Sequence, residues 1–292
     1  MKAAAFDLRV ARSVDQAIWH LSEAAGEGKI LAGGQSLAAL MAFRLARPEV
    51  IVDINSVAEL ASVRPEGRSL AIGALTRQRT LERDALVARD WPLLAEAIPH
   101  IAHEPIRNRG TIGGSVAHAD PSAELPMICL TLDARMRVRG PSDAREIAAA
   151  DFFLGPFTTA LGDSDVLTEI VLPVLPDGAG TAFCEVARRR GDFAMVAVAA
   201  VLAVNAAREI TFARLGYASM GATPLRALAA ENELTGAPAT AETFERAAAA
   251  AAGELHPGSD VHASADFRRH LADRLTRRAL GTALSRALRL DA

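Results

Sequence analysis

Two short stretches pair adjacent glycines with small polar side chains: Ala32-Gly33-Gly34-Gln35-Ser36-Leu37 and Thr111-Ile112-Gly113-Gly114-Ser115. Paired glycines let a backbone turn sharply and bring its N–H groups up to a bulky ligand. Two such turns in one chain predict a long phosphate-bearing ligand held from two sides, and a dinucleotide has that shape. The second stretch runs on to Ala119-Asp120-Pro121. Asp120 reads either as the start of an Asp-Pro turn or as a carboxylate that accepts hydrogen bonds from ligand hydroxyls.

Other chemistry is missing. The dinucleotide fingerprint G-x-G-x-x-G and the phosphate loop G-x-x-x-x-G-K-[ST] are both absent. Lys29 follows Gly28 but has no Ser or Thr after it. His100, His103 and His118 have no cysteine or acid at a metal-ligand spacing. The first two are expected near the C-terminal end of a helix, where a histidine is electrostatically comfortable. Arg107-Asn108-Arg109 and Arg188-Arg189-Arg190 are solvated faces by default, and either could neutralise a phosphate or contact a partner. No nucleophile elbow, kinase or metalloprotease motif occurs. Ligand-holding residues without a nucleophile, a general base or a metal site point to a cofactor that carries the chemistry itself.

The elements that must position these residues are legible in part. Ser13 and Gln16 form a capping box, which predicts a helix from there to about Ala25, stopped by Gly26. A strand over 29–32, the first glycine turn, a helix over 37–45 stopped by Pro48, and a strand over 50–54 make a βαβ unit. The first turn then sits where a strand ends and a helix begins, a place that favours anions. A hairpin is expected over 60–74, a helix capped by Thr76 after it, and a helix over 92–102. Strands are expected over 135–139 and 166–172. Pro173, Pro176, Asp177 and Gly178 mark a boundary. Beyond it, strands over 181–186, 196–204 and 209–220 form an antiparallel meander covered by Ala-rich helices over 225–231, 242–253 and 264–287.

The chain has 292 residues, enough for two domains. Its 32 basic and 35 acidic residues nearly balance, which argues against nucleic-acid or anionic-membrane binding. Cys129 and Cys184 lie in apolar runs and read as free thiols. An acid stands too early for a secretory leader, and no apolar run reaches the roughly 18 residues of a membrane span. The expected location is cytoplasmic.

Residues 30–37 followed by Ile106-Arg107-Asn108-Arg109-Gly110-Thr111-Ile112-Gly113-Gly114-Ser115 resemble the FAD-binding medium subunit of molybdenum hydroxylases, the aerobic carbon monoxide dehydrogenase and xanthine dehydrogenase group. The likeness continues through Ala117-His118-Ala119-Asp120-Pro121, Ala123-Glu124-Leu125-Pro126, Arg188-Arg189-Arg190-Gly191-Asp192-Phe193-Ala194 and the run 264–280. It covers nearly the whole chain. The resemblance implies an α+β fold: a two-subdomain FAD domain of the vanillyl-alcohol-oxidase type over 1–176 (subdomains about 1–55 and 56–176), then over 177–292 a C-terminal domain like that of the carbon monoxide dehydrogenase flavoprotein. It implies that the two glycine turns hold the pyrophosphate of a non-covalent FAD and that Asp120 binds ribityl hydroxyls. It adds Lys29, Leu31, Ala119 and Leu167 as further contacts, with Phe193 and Arg189 near the flavin. Two departures stand out. Pro105 replaces the Gln of many relatives, and Phe193 stands where some have Tyr or Trp.

By the same resemblance the partners are a large molybdenum-cofactor subunit and a small subunit with two [2Fe–2S] clusters, in heterotrimers paired as a heterohexamer. Electrons would pass from molybdenum through the clusters to the flavin and on to an external acceptor. A free-standing flavin reductase or oxidase of the same superfold, and a cofactor-free binding module, are the alternatives.

Overall fold

The computed structural model describes residues 2–289. The chain packs as two units. One comprises the residues up to Arg83, Glu104–His118 and Ala134–Pro173; the other comprises Asp84–His103, Ala119–Asp133 and the residues from Val174 on.

In the first unit the expected βαβ segment is present. Strands Gly28–Leu31 and Val50–Asp53 pair in parallel. A third strand, Asp7–Val10, pairs in parallel with the outer side of Val50–Asp53. The sequence did not announce it: four residues at a sheet edge with Leu8 and Val10 exposed carry no burial pattern. Helix Val14–Glu23 covers this sheet through Val14, Ala17, Ile18 and Leu21. The Ser13 hydroxyl accepts from the Gln16 N–H at 3.1 Å, and the Gln16 side chain returns to the Arg12 N–H at 2.8 Å. The next helix, Leu37–Ala42, stops earlier than expected. Arg44 takes a left-handed φ of +58°, and the Leu45 N–H closes back onto the Leu40 carbonyl.

The unit's second sheet is antiparallel, in the order Val63–Glu66, Ser69–Gly73, Val166–Pro173, Arg135–Arg139, Ala144–Ala148. Its expected hairpin and strands are present, with the exposed strand Ala144–Ala148 added. Thr76 does not cap the following helix, Gln78–Arg83. Its hydroxyl donates to the Ser62 carbonyl instead, which ties the hairpin to the segment behind it.

The second unit holds an antiparallel sheet of Gly180–Ala187, Ala194–Val204, Ile210–Ala218 and Leu225–Arg226. The last two-residue strand is a fourth beyond the three expected, and the helix after it is Leu228–Leu234. Helices Ala241–Glu254 and Ala265–Ala287 are capped by the Thr240 and Ser264 hydroxyls. The long helix lies along the first two strands. The expected helix over 92–102 is broken. An α-helical Pro92–Ala97 gives way to a 3-10 turn, Ile98–His100, because Pro99 has no N–H to continue the ladder. His103 therefore lies outside the helix. A further helix, Glu124–Thr131, has every residue buried. Its side chains show no amphipathic period, so nothing in the local pattern pointed to it.

Candidate cofactor site

The first glycine turn behaves as a bare-amide cradle. Strand Gly28–Leu31 delivers it and helix Leu37–Ala42 receives it. Gly34 has φ +74°, a conformation that favours glycine. The Gln35 side chain donates to the Gly33 carbonyl at 2.9 Å and braces the turn. The backbone N–H groups of Gly33, Gly34, Gln35, Ser36 and Leu37 donate to no acceptor among the described residues. Five consecutive unpaired donors form a concavity suited to phosphate oxygens. That fits the diphosphate of a dinucleotide.

The second glycine segment offers no run of bare amides. It is the first turn of helix Ile112–His118, and its amides are engaged. The Ile112 N–H donates to the Thr76 carbonyl at 3.1 Å and the Gly113 N–H to the Ala74 carbonyl at 2.9 Å. The Gly114 N–H donates to Thr111 Oγ1 at 3.0 Å, and the Ser115 N–H to the Thr111 carbonyl. Thr111 is thus a helix cap. The Ser115 hydroxyl has no partner among the described residues. What this segment offers a ligand is small side chains and a close surface.

The two glycine segments meet. A Cβ on Gly33 would collide with the Arg109 carbonyl, and one on Gly113 with Ala74. A Cβ on Gly114 would lie 2.7 Å from Thr111 Oγ1 and 3.8 Å from the Ala32 Cβ. Gly33 and Gly113 are therefore required by contact between segments of this unit. Lys29 is exposed on its strand with no partner among the described residues. The Leu31 carbonyl accepts from the Ile54 N–H. Leu167 is buried on strand Val166–Pro173, one residue before the Thr168 carbonyl that accepts from the Ala74 N–H.

Ala119, Asp120, Arg189 and Phe193 belong to the second unit. Ala119 is buried with φ +51°. Asp120 does initiate a turn: one carboxylate oxygen accepts from the Ser122 N–H at 2.8 Å and its carbonyl from the Ala123 N–H. The second carboxylate oxygen has no partner among the described residues. Arg188, Arg189 and Arg190 lie exposed on the hairpin between Gly180–Ala187 and Ala194–Val204, and none has an acidic partner among the described residues. Phe193, on the same hairpin, is 66% exposed.

The second unit also buries two acids that the sequence reading did not single out for chemistry. Burial pushes the Glu124 carboxyl up to about 8, and the nearby Glu185 and Asp120 add to it. One Glu185 carboxylate oxygen is buried without a partner, and the other lies 3.8 Å from His100 Nδ1. Only the fold reveals these two acids together, since 60 residues of chain separate them.

Two family models account for nearly the whole chain. Residues 4–175 match the FAD binding domain in molybdopterin dehydrogenase, and residues 181–283 match the CO dehydrogenase flavoprotein C-terminal domain. The chain is 39% identical to the 6-hydroxypseudooxynicotine dehydrogenase complex subunit alpha of Paenarthrobacter nicotinovorans, over 98% of this chain and 97% of that one. It is 34% identical to the carbon monoxide dehydrogenase medium chain of Hydrogenophaga pseudoflava, over 96% and 98%. Carbon monoxide dehydrogenase from H. pseudoflava, solved without the Mo-pyranopterin moiety of its cofactor, contains a chain that superposes with a TM-score of 0.96 at 36% identity, covering 98% of this chain and 99% of that one. A chain of quinoline 2-oxidoreductase from Pseudomonas putida 86 gives 0.94 at 36% identity, with the same coverage.

Proposed function

The chain belongs to the FAD-binding medium subunits of the molybdenum hydroxylases, and we propose from that premise how its residues hold the cofactor. It is the electron-transfer flavoprotein subunit of an oxidoreductase complex whose molybdenum cofactor and iron–sulfur clusters are carried by other subunits. When bound, FAD supplies the redox chemistry, since it can take up electrons singly and release them in pairs.

The residues divide the work of binding. The five unpaired amides of 33–37 donate to the diphosphate, and this run of free donors is the observation that carries the reading. The partly exposed Ser115 presents its hydroxyl to it, while Thr111 caps the helix and Ile112, Gly113 and Gly114 keep that face of the site low. Ala32, Leu31 and Lys29 flank the turn, and Leu167 is a further FAD contact. The unpartnered oxygen of Asp120 accepts from a ribityl hydroxyl, with Ala119 beside it. Arg189 and Phe193 serve the flavin end.

Residues 1–176 form the FAD domain and 177–292 the C-terminal domain. The partners are a large molybdenum subunit and a small [2Fe–2S] subunit, and trimers pair into a heterohexamer in the cytoplasm. Purification of the native complex tests this, with flavin content, metal content and subunit sizes measured together. One FAD per copy of this chain is the expected result. A complex with no flavin, which takes none up on addition of FAD, would overturn the reading.

A further inference from the structure

The two glycine segments of the first unit are joined by a side chain that no motif includes. Arg77 sits between the hairpin and helix Gln78–Arg83, pinned by its neighbours. The Thr76 carbonyl accepts from the Ile112 N–H, and the Gln78 N–H donates to the Gly110 carbonyl. One arm of the Arg77 guanidinium, Nη1, donates to the Arg109 carbonyl at 2.5 Å. The other, Nη2, donates to Asn55 Oδ1 at 2.7 Å. Asn55 in turn donates through Nδ2 to the Ala32 carbonyl at 2.9 Å. Asn55 is itself held at the end of its strand, where Asp53 accepts both its N–H and its Nδ2.

The geometry assigns Arg77 and Asn55 as positioning residues of the FAD diphosphate site: together they tie the Ala32 carbonyl to the Arg109 carbonyl and so hold the bare-amide turn in its binding shape. This rests on the proposed function of that turn. Nothing else among the described hydrogen bonds spans from the turn's first residue to the 109–111 segment. The rigid planar fork of an arginine can serve two acceptors at once, which a lysine's point charge on a flexible stem does poorly. Without the tie, the turn's five amides stay unpaired but lose their fixed direction. FAD must then order the turn as it binds, and affinity falls.

The test strips flavin from the assembled enzyme and follows rebinding of FAD by fluorescence quenching, and of ADP by competition. Arg77→Met, Arg77→Lys and Asn55→Ala are each expected to weaken FAD and ADP by a similar factor of about ten, or about 1.4 kcal/mol. ADP shares the diphosphate but lacks the flavin, so an equal loss places the effect at the cradle. The Arg77→Met/Asn55→Ala double variant is expected to bind no more weakly than the worse single one, because both break one tie. Full recovery of affinity in Arg77→Lys would overturn the proposal by showing that charge suffices. Additive losses, or unchanged affinity in the single variants, would overturn it equally. Asn55 is exposed, so Asn55→Ala carries the test if Arg77→Met does not fold. Wild-type enzyme that rebinds neither FAD nor ADP would count against the proposed function itself; wild-type binding with indifferent variants counts only against the tie.

Discussion

Gly33 and Gly34 are adjacent and have different reasons to be glycine. A side chain on Gly33 meets the backbone of Arg109, whereas one on Gly34 meets only the end of the Leu31 side chain, at 3.2 Å. Gly33→Val is therefore expected to destabilise the apoprotein through overpacking, by about 1–3 kcal/mol or more, seen as a lower melting temperature. Gly34→Ala leaves the packing in place and costs about 1–2 kcal/mol for its left-handed backbone. It is the cleaner probe of the amides: FAD titration should show weaker binding by a folded protein, and unchanged affinity would take Gly34 out of the site. Asp120→Asn preserves the oxygen that accepts from Ser122 and removes the charge. Its expected cost to FAD affinity is about 1.5–3 kcal/mol, or about tenfold to a hundredfold, with little change in melting temperature. Glu124 makes a pH prediction. Its folded pKa of about 8 lies above the ordinary carboxylate value, so the folded state holds a proton that the unfolded state has released. Stability from this group is complete below the ordinary value and declines as pH rises toward 8, by about 1.4 kcal/mol per pH unit at most. Melting curves of flavin-free Glu124→Gln should lose that decline; a slope equal to wild type would show that Glu124 is ionised in the folded protein.

At the scale of elements, helix Ala265–Ala287 shows the same contrast between crowded and open glycines. A Cβ on Gly180 would strike the backbone of Ala283 and Ala287, so strand and helix approach closely because that residue is glycine. Gly281, inside the helix, has no atom within 4 Å of such a Cβ. Gly180→Ala should therefore destabilise, while Gly281→Ala should stabilise by up to about 1 kcal/mol through helix propensity. Chemical denaturation of both variants checks the opposite signs. The second glycine segment makes a related point about local reading. Two glycines flanked by Thr and Ser predict a turn with free amides; in the structure they open a helix whose N–H groups find acceptors at Thr76, Ala74 and Thr111. Gly113 is a glycine so that the helix start can lie against Ala74, and Gly114 leaves room for the Thr111 hydroxyl.

At the scale of the whole molecule, the chain is the FAD-binding medium subunit of a molybdenum hydroxylase. Among the described residues no group of three His, Cys, Asp or Glu side chains is placed to hold a metal ion, and no helix is long and apolar enough to cross a membrane. Native mass spectrometry of the purified assembly is expected to give two copies each of large, medium and small subunits. A stable assembly lacking either partner would contradict that stoichiometry.

What the sequence determined by itself was local or cumulative. The first glycine turn was legible because strand, turn, helix and strand follow one another within about 26 residues. The cap at Ser13 was legible because donor and acceptor lie three residues apart. The family was legible because many short motifs occur in one order along one chain. Tertiary structure alone decided which amides remain free, since the acceptors at Ala74 and Thr76 lie more than 30 residues from the donors they satisfy. It also decided that Arg77 bridges Asn55 and Arg109, and that Glu124 is buried beside other acids. A sequence shows what each group can donate or accept. Whether that capacity is filled depends on segments brought together by folding, and a binding site is made of the capacity left over.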